Sequence, residues 1–393
     1  MSVRKRHWKT SRGEEKTTWI VDYTDQQGNR HLKTFARKKE ADAFAASTHV
    51  AIAKGEHVAD SATVTVTEAG ELWLASGTDA GLERTTIDQY RQHLNLHISP
   101  LIGREKLSQL SVPLIRAFQD RLRDEGRSTA MVRRVTISLG SILADAQERG
   151  LVVRNVVREM SSRRSRGKAR QGALRQKRKV QVGVDIPTRE EIRAIIEHAD
   201  DRWRPLLITA ILTGLRASEL RGLRWCDVDL EAGLLHVRQR ADRYQAIGMP
   251  KTVAGQRTVP LSPLVVNTLR EWRLRCPRLD GELHYVFPNG AGKVEWHGNI
   301  VNRGLIPTQI RAGVVSGDGA KYTGMHSLRH FYASWCINRR ADGGLELPPK
   351  MVQDRLGHSS INMTMDTYGH LFPSNDDADA LAVAERDLLA SAT

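Results

Sequence analysis

The stretch from Met325 to His370, MHSLRHFYASWCINRRADGGLELPPKMVQDRLGHSSINMTMDTYGH, gathers side chains suited to phosphate chemistry. It contains His326, Arg329, His358 and Tyr368. Arg216 stands upstream in Thr213-Gly-Leu-Arg-Ala-Ser-Glu-Leu220, and Lys251 in the hairpin-like segment from Pro250 to Leu261. Together these are guanidiniums, imidazoles, an ammonium and a phenol: groups that hold or protonate a phosphate, and one nucleophile. His326 and Arg329 lie three apart, so a helix would project both from one face. The histidines His326, His330, His358 and His370 could suggest zinc, but no acid or cysteine completes a tight cluster and no HExxH occurs.

Composition narrows the partner. Sixty Lys+Arg against 45 Asp+Glu give a net charge of +15 in 393 residues, a balance suited to a polyanion whose condensed counterions are released on binding. Length and a 40% hydrophobic content allow two or three domains with proper cores. No window reaches the ~18 apolar residues of a spanning helix, and the N-terminus MSVRKRHWKTSRGEEK has no apolar signal core. The expectation is a cytoplasmic, nucleoid-associated protein of a bacterial host, with no membrane partner. Cys226, Cys276 and Cys336 are too widely spaced for a disulfide framework or metal knuckle.

The elements that must position the site can be read in order. Residues 1–60 predict a three-stranded sheet and a helix. The strands are Lys5–Lys9, Thr18–Thr24 and His31–Phe35, and the helix from Lys38 to Lys54 has its apolar face on Ala41, Phe44, Ala45, Val50 and Ala51. The cations Arg4, Lys5, Arg6, Lys9, Arg12, Arg30 and Lys33 stud this sheet, which could enter a DNA groove. Residues 64–158 predict a bundle of about four helices: one capped by Thr67, one ending before Pro100, and two opened by Ser111 and Ser128. Residues 159–185 form a linker whose stretch Ser161–Val184 holds nine cations and no acid: Arg163, Arg164, Arg166, Lys168, Arg170, Arg175, Lys177, Arg178 and Lys179. Lying against a duplex, these charges would be stabilised.

The last domain, 186–393, opens on a capping box at Thr188 and Glu191. Apolar Leu206–Leu212 ends at Gly214, just before Arg216, and strands at Leu234–Val237 and Arg257–Leu261 flank Lys251. Ser262-Pro263 starts a helix bearing Leu264, Leu269 and Trp272. Residues 276–322 read as loops with one helix. A tail helix, Asp377 to Ser391, carries Leu381, Ala384 and Leu388 on one stripe. The fold class is therefore multidomain and mainly α: a small N-terminal β-sheet with a helix, a helical bundle, and a mostly helical α/β catalytic domain with a short antiparallel sheet.

Singly the site residues are weak signals; in their order they are specific. Arg in TGLRASEL, Lys in PKTVAGQRTVPL, then HSLRH, LGHSS and the Tyr of MDTYGH resemble the tyrosine recombinases, and the chain resembles a phage-type integrase. The resemblance implies Arg216 and Arg329 as phosphate-clamping arginines, His326 as their companion, Lys251 as the hairpin lysine, His358 as the second histidine and Tyr368 as the nucleophile. Glu219 matches the acidic position after the first arginine, where it supports the site. It further implies core-type and arm-type sites on double-stranded DNA, and a homotetramer on two duplexes joined by exchanged tails. A DNA-bending host factor and an excisionase would be accessory partners.

The physical chemistry agrees. Attack on a phosphodiester develops charge on the nonbridging oxygens, which two arginine forks match bidentately. A phenol of pKa ~10 needs its proton removed or its anion stabilised, with His326 as the expected acid or base and Lys251 protonating the leaving 5′ oxygen. A 3′-phosphotyrosine keeps the bond energy, so no metal, ATP or other cofactor is needed. A type IB topoisomerase would use the same chemistry and relax any supercoiled plasmid; a non-catalytic DNA-binding regulator would bind without cutting. The stretch Arg340–Pro349 lengthens the gap between HSLRH and LGHSS, and Asn338–Lys350 has no functional assignment.

Overall fold

The computed structural model describes residues 1–9, 15–25, 28–53, 63–164 and 179–372, with a few isolated positions beyond. It divides into two units, Met1–Leu174 and Arg175–Thr393.

The first unit opens with β1 (Ser2–Lys9), β2 (Glu15–Thr24) and β3 (Arg30–Phe35), an antiparallel sheet in sequence order. Helix α1 (Lys38–Ala53) covers one face, packing Ala41, Phe44, Ala45 and Ile52 against Val21 and Tyr23. Val50 was expected on that face but is 52% exposed. The apolar positions follow a 3.6-residue period through Ala41, Phe44, Ala45 and buried Thr48, which leaves Val50 off the stripe.

Among the described residues, eight helical segments follow in this unit's second half, two of them single turns at Leu94–Ile98 and Leu107–Gln109. They include α2 (Val66–Asp79), α3 (Arg84–His93), α4 (Ser99–Ile102), α5 (Val112–Asp124), α6 (Thr129–Glu148) and α7 (Val156–Arg164). Thr65, not Thr67, caps α2, because only Thr65 stands three residues before Glu68, whose carboxylate returns to its backbone N–H. Pro100 does not end the second helix. A π-helical turn, Leu94–Ile98, joins α3 to α4 without a break, and Pro100 falls just after it at the start of α4. Ser111 and Ser128 cap α5 and α6 as expected. Val156, Val157 and Met160 of α7 join the bundle core.

The second unit starts with α8 (Arg189–His198), whose Thr188–Glu191 capping box is formed. Next come the buried α9 (Arg204–Thr213) and short α10 (Ala217–Gly222). A sheet of β4 (Val228–Asp229), β5 (Leu234–Val237) and β8 (Arg257–Pro260) is interrupted by a hairpin of β6 (Arg240–Ala241) and β7 (Ile247–Gly248). In α11 (Pro263–Arg275), Leu269 and Trp272 are buried but Leu264 is 43% exposed, its place being taken by Val265. Residues 276–322 hold more structure than expected: a helical run over 297–311 ending in α12 (Ile306–Arg311), and a hairpin of β9 (Val315–Ser316) and β10 (Gly319–Ala320). Helices α13 (His326–Ile337), α14 (Pro349–Leu356) and α15 (Ile361–Tyr368) complete the domain. The expected tail helix lies largely outside the described residues, including Leu381 and Ala384.

Candidate active site

Helix α9 ends at Gly214, which adopts left-handed φ 62°. A Cβ there would lie 2.3 Å from the Tyr332 ring, so glycine alone permits the turn. The turn releases Arg216 at the head of α10, where the Glu219 carboxylate accepts its backbone N–H at 2.9 Å. Glu219 is buried between two guanidiniums, Arg216 Nη1 at 2.8 Å and Arg257 Nη2 at 2.8 Å. Burial alone would raise its pKa, but Arg257 and then Arg216 outweigh that and hold it at about 2. Arg257 is itself fixed by donation from Nε to the Arg355 carbonyl, 2.8 Å. The carboxylate therefore acts as a rigid anchor beneath Arg216.

Arg216 donates its other nitrogen to the Gly357 carbonyl, 3.1 Å, and keeps 35% of its side chain exposed. It lines a cavity of about 240 Å³ with Lys251, Ser218, Thr252 and Ser359. Lys251 follows the β6–β7 hairpin and is exposed.

Arg329, on α13, differs from an open clamp. It is 2% exposed, and its two terminal nitrogens donate to the carbonyls of Gly214 and Leu356. Burial and the neighbouring Arg216 lower its pKa to about 9, which leaves it cationic at neutral pH. It ties the end of α9 to the end of α14. Beyond α14, left-handed Gly357 sits where a Cβ would come within 2.9 Å of the Ala254 carbonyl. It delivers His358, which is buried and hydrogen-bonded through Nδ1 to Thr364 Oγ1 at 2.9 Å. Burial first, then Arg329 and Arg216, push His358 down to about 3, so the imidazole is neutral.

Tyr368 ends α15 and is 2% exposed. Its ring is parallel to that of His358 with centroids 6.4 Å apart. Burial pushes its phenol up to about 12, against the opposing pull of Arg329 and Arg216. The phenol's partner is His330, whose Nδ1 lies 2.7 Å from Oη. His326 was expected in the proton-handling role. It instead stands at the exposed start of α13, its ring edge-on to His330 at 4.6 Å, and among the described residues no hydrogen bond joins it to Tyr368. His326 and His330 share one face of α13 a turn apart, and the turn that carries His330 is the one that meets Tyr368.

The expected residues thus converge, and two others that sequence reading passed over, Arg257 and Thr364, join them, together with His330, which was weighed only as a zinc ligand. The HSLRH pattern held one available signal, since His326 and His330 are i,i+4 neighbours on one helix. Arg257 and Thr364 gave none. The unassigned stretch 338–350 is a support. Leu345 and Leu347 donate their N–H groups to the carbonyls of Trp335 and Cys336, and both pack on the cluster containing Tyr332, Leu356 and Tyr368.

The expected DNA-contact cations are placed unevenly. Strand alternation puts Arg4, Arg6 and Arg30 on the sheet face away from α1, where Arg4 and Arg30 flank Asp22. Lys5 belongs to the opposite face, and Lys33 lies over the Phe44 ring at 4.4 Å. Lys179 is exposed. The side chains of Lys9, Arg163 and Arg164, and residues Arg12, Arg166, Lys168, Arg170, Arg175, Lys177 and Arg178, lie outside the described residues.

Comparison with known proteins finds relatives over this domain. Residues 187–375 match the phage integrase family model. A tyrosine recombinase XerC-like protein of Caldanaerobacter subterraneus subsp. tengcongensis is 27% identical over 371 residues, covering 89% of this chain and 90% of that protein. The ICEBs1 integrase of Bacillus subtilis is 22% identical over 72% of each chain. Among solved structures, the Tn1549 transposon integrase with circular intermediate DNA superposes with TM-score 0.61 at 18% identity, covering 82% of this chain and 99% of that one. A lambda integrase dimer on a core site gives 0.55 at 17% identity, covering 94% and 97%. These last two likenesses establish the fold. The family model lies over Arg216, Lys251, His326, Arg329, His358 and Tyr368, and residues 187–375 of the chain are similar to the phage integrase family.

Proposed function

We propose that this chain is a site-specific DNA recombinase of integrase type, which cuts and rejoins strands through a covalent 3′-phosphotyrosyl intermediate to integrate and excise a mobile element. The observation that carries this is the placement of the Tyr368 phenol among Arg329, His358 and His330, beside a cavity lined by Arg216 and Lys251. A phosphate entering that cavity would meet the exposed edge of Arg216 and the Lys251 ammonium. Arg216 would hold a nonbridging oxygen while the field of buried Arg329 favours the accumulating charge. Lys251 would give its proton to the departing 5′ oxygen.

Double-stranded DNA is the partner. A lambda integrase tetramer has been solved on a Holliday junction and has a similar fold, which supports a tetramer on two duplexes here, with exchange of the tail beyond residue 372. The sheet face bearing Arg4, Arg6 and Arg30 would contact arm-type sites, the helical bundle and the basic segment 159–185 core-type sites. A bending protein and an excisionase would set direction. Among the described residues no helix is long and apolar enough to cross a membrane.

The test uses a library of nicked duplexes with a randomised core. The wild-type protein should form covalent adducts that, once sequenced, define a site, and Tyr368→Phe should form none while still binding the selected duplex. Adducts in Tyr368→Phe would sink the nucleophile assignment. Efficient relaxation of any supercoiled plasmid, with no sequence selected, would favour a topoisomerase; binding without adducts would favour a regulator.

A further inference from the structure

We propose that His330 is a catalytic residue, the acceptor of the Tyr368 phenolic proton during strand cleavage. The inference rests on Tyr368 being the nucleophile and names the group that activates it. The phenol is 2% exposed, and a buried O–H donor requires an acceptor. His330 Nδ1 stands 2.7 Å from Oη, within the range for direct proton transfer. Were Nδ1 the donor, the phenolic proton would be left without a partner. The hydrogen bond therefore runs from Oη to the Nδ1 lone pair, with the imidazole proton on Nε2.

The alternatives are committed elsewhere. His358 spends Nδ1 on Thr364, 2.9 Å away, and faces the phenol with its ring plane, parallel at 6.4 Å. His326 has its ring edge-on to His330 at 4.6 Å, and among the described residues no hydrogen bond joins it to Tyr368. Lys251 is in the cavity of Arg216. The groups around His330 favour a neutral ring: burial and Arg329 on its own helix depress its pKa, opposed by Asp185 from the segment before α8. His326 also faces it, and Tyr368 comes from α15. A neutral imidazole beside a protonated phenol is the correct starting state for a base.

The step balances. As the bond from Oη to phosphorus forms and the bond from phosphorus to the 5′ oxygen breaks, the phenolic proton moves to Nδ1 of His330. The 5′ oxygen takes a proton from Lys251. In rejoining, the 5′ hydroxyl returns its proton to Lys251 as it attacks, and His330 returns its own to the departing phenolate. Net charge is unchanged in both directions, and one residue serves as base and then acid.

The experiment measures single-turnover adduct formation on the duplex selected above, over pH 5.5–9, for the wild-type protein and the variants His330→Ala, His330→Gln and Lys251→Ala. A second duplex carries a 5′-bridging phosphorothiolate, whose thiolate leaves without a proton. His330→Ala and His330→Gln should each be slowed about 100-fold or more, with rates that climb with pH where the wild type is level, as hydroxide replaces the missing base. Added imidazole should restore part of the His330→Ala rate. The phosphorothiolate should rescue Lys251→Ala and leave both His330 variants slow. His330→Gln keeps a neutral acceptor of similar size, so it decides the matter should His330→Ala fail to fold. A His330→Gln rate near wild type would overturn the proposal, reducing the contact to positioning. Rescue of either His330 variant by the phosphorothiolate would overturn it too, making His330 the leaving-group acid. Absence of wild-type adducts, or their persistence in Tyr368→Phe, would instead remove the reading beneath it.

Discussion

Arg216 and Arg329 carry the same guanidinium in one site, yet their surroundings are opposite. Arg216 is 35% exposed on the wall of a cavity, above a buried carboxylate that holds its other edge. Arg329 is 2% exposed with both terminal nitrogens on backbone carbonyls. Chemistry and architecture are therefore divided between them. Arg216, whose terminal nitrogens donate to Glu219 and to the Gly357 carbonyl, still keeps part of its side chain open to solvent; Arg329 closes the ends of α9 and α14 and supplies a fixed positive charge near Tyr368. Residue type does not reveal this division, because it follows from which carbonyls each guanidinium reaches.

The division is most exposed to failure in paired alanine variants. Arg329→Ala would leave the Gly214 and Leu356 carbonyls unpaired, empty a buried volume and lower stability by about 3–5 kcal/mol. In a domain of this size that is a Tm drop of roughly 10 °C. Arg216→Ala loses partly exposed contacts and should cost about 1 kcal/mol, while slowing adduct formation by 10²–10³-fold. Calorimetry beside single-turnover cleavage measures both. Equal Tm losses in the two variants would mean that the arginines do the same work.

That pairing also marks what the sequence made legible. The order of Arg216, Lys251, HSLRH, LGHSS and Tyr368 pointed to one cluster, and the fold brings those segments together. The capping box at Thr188 and the Gly214 helix end were readable from local rules. Arg257 was not, since it contributes only after β8 pairs with β5 and brings its side chain beneath Glu219. Thr364 was hidden for the same reason: its bond to His358 exists only once α15 folds back on the α14 turn. Local patterns likewise misplaced Val50, where helical phase separates a core position from an exposed one.

The anchor beneath Arg216 gives the next effect in size. Glu219 titrates at about 2 in the fold against 4.5 unfolded. A depressed carboxylate stabilises the fold fully above the unfolded value and loses that stabilisation as pH falls towards the folded one. The difference corresponds to about 3 kcal/mol, lost between pH of about 4.5 and 2. Urea unfolding of the wild type and Glu219→Gln at a series of pH values isolates this contribution from His358, whose depressed pKa makes acid unfavourable from about 6.5 downward. The two proteins should differ most above pH 4.5 and converge below it. A gap that persists to pH 2 would show that Glu219 acts through packing, not charge.

Lys251 should show the smallest structural effect and so gives the cleanest test of the open side. It is exposed and follows a hairpin, and surface positions of that kind change stability by no more than ~0.5 kcal/mol. Lys251→Ala should therefore melt with the wild type and bind the selected duplex with nearly the same affinity at matched salt. A single lost cation weakens binding in a way that grows with each phosphate contact removed, so the affinity change limits how far Lys251 acts as a static contact. If it is the proton donor, the deficit will reside in the cleavage rate and vanish on a leaving group that needs no proton. A Tm loss comparable to that of Arg329→Ala would instead place Lys251 with the buried half of the site, and the division between an open wall and a closed floor would fail.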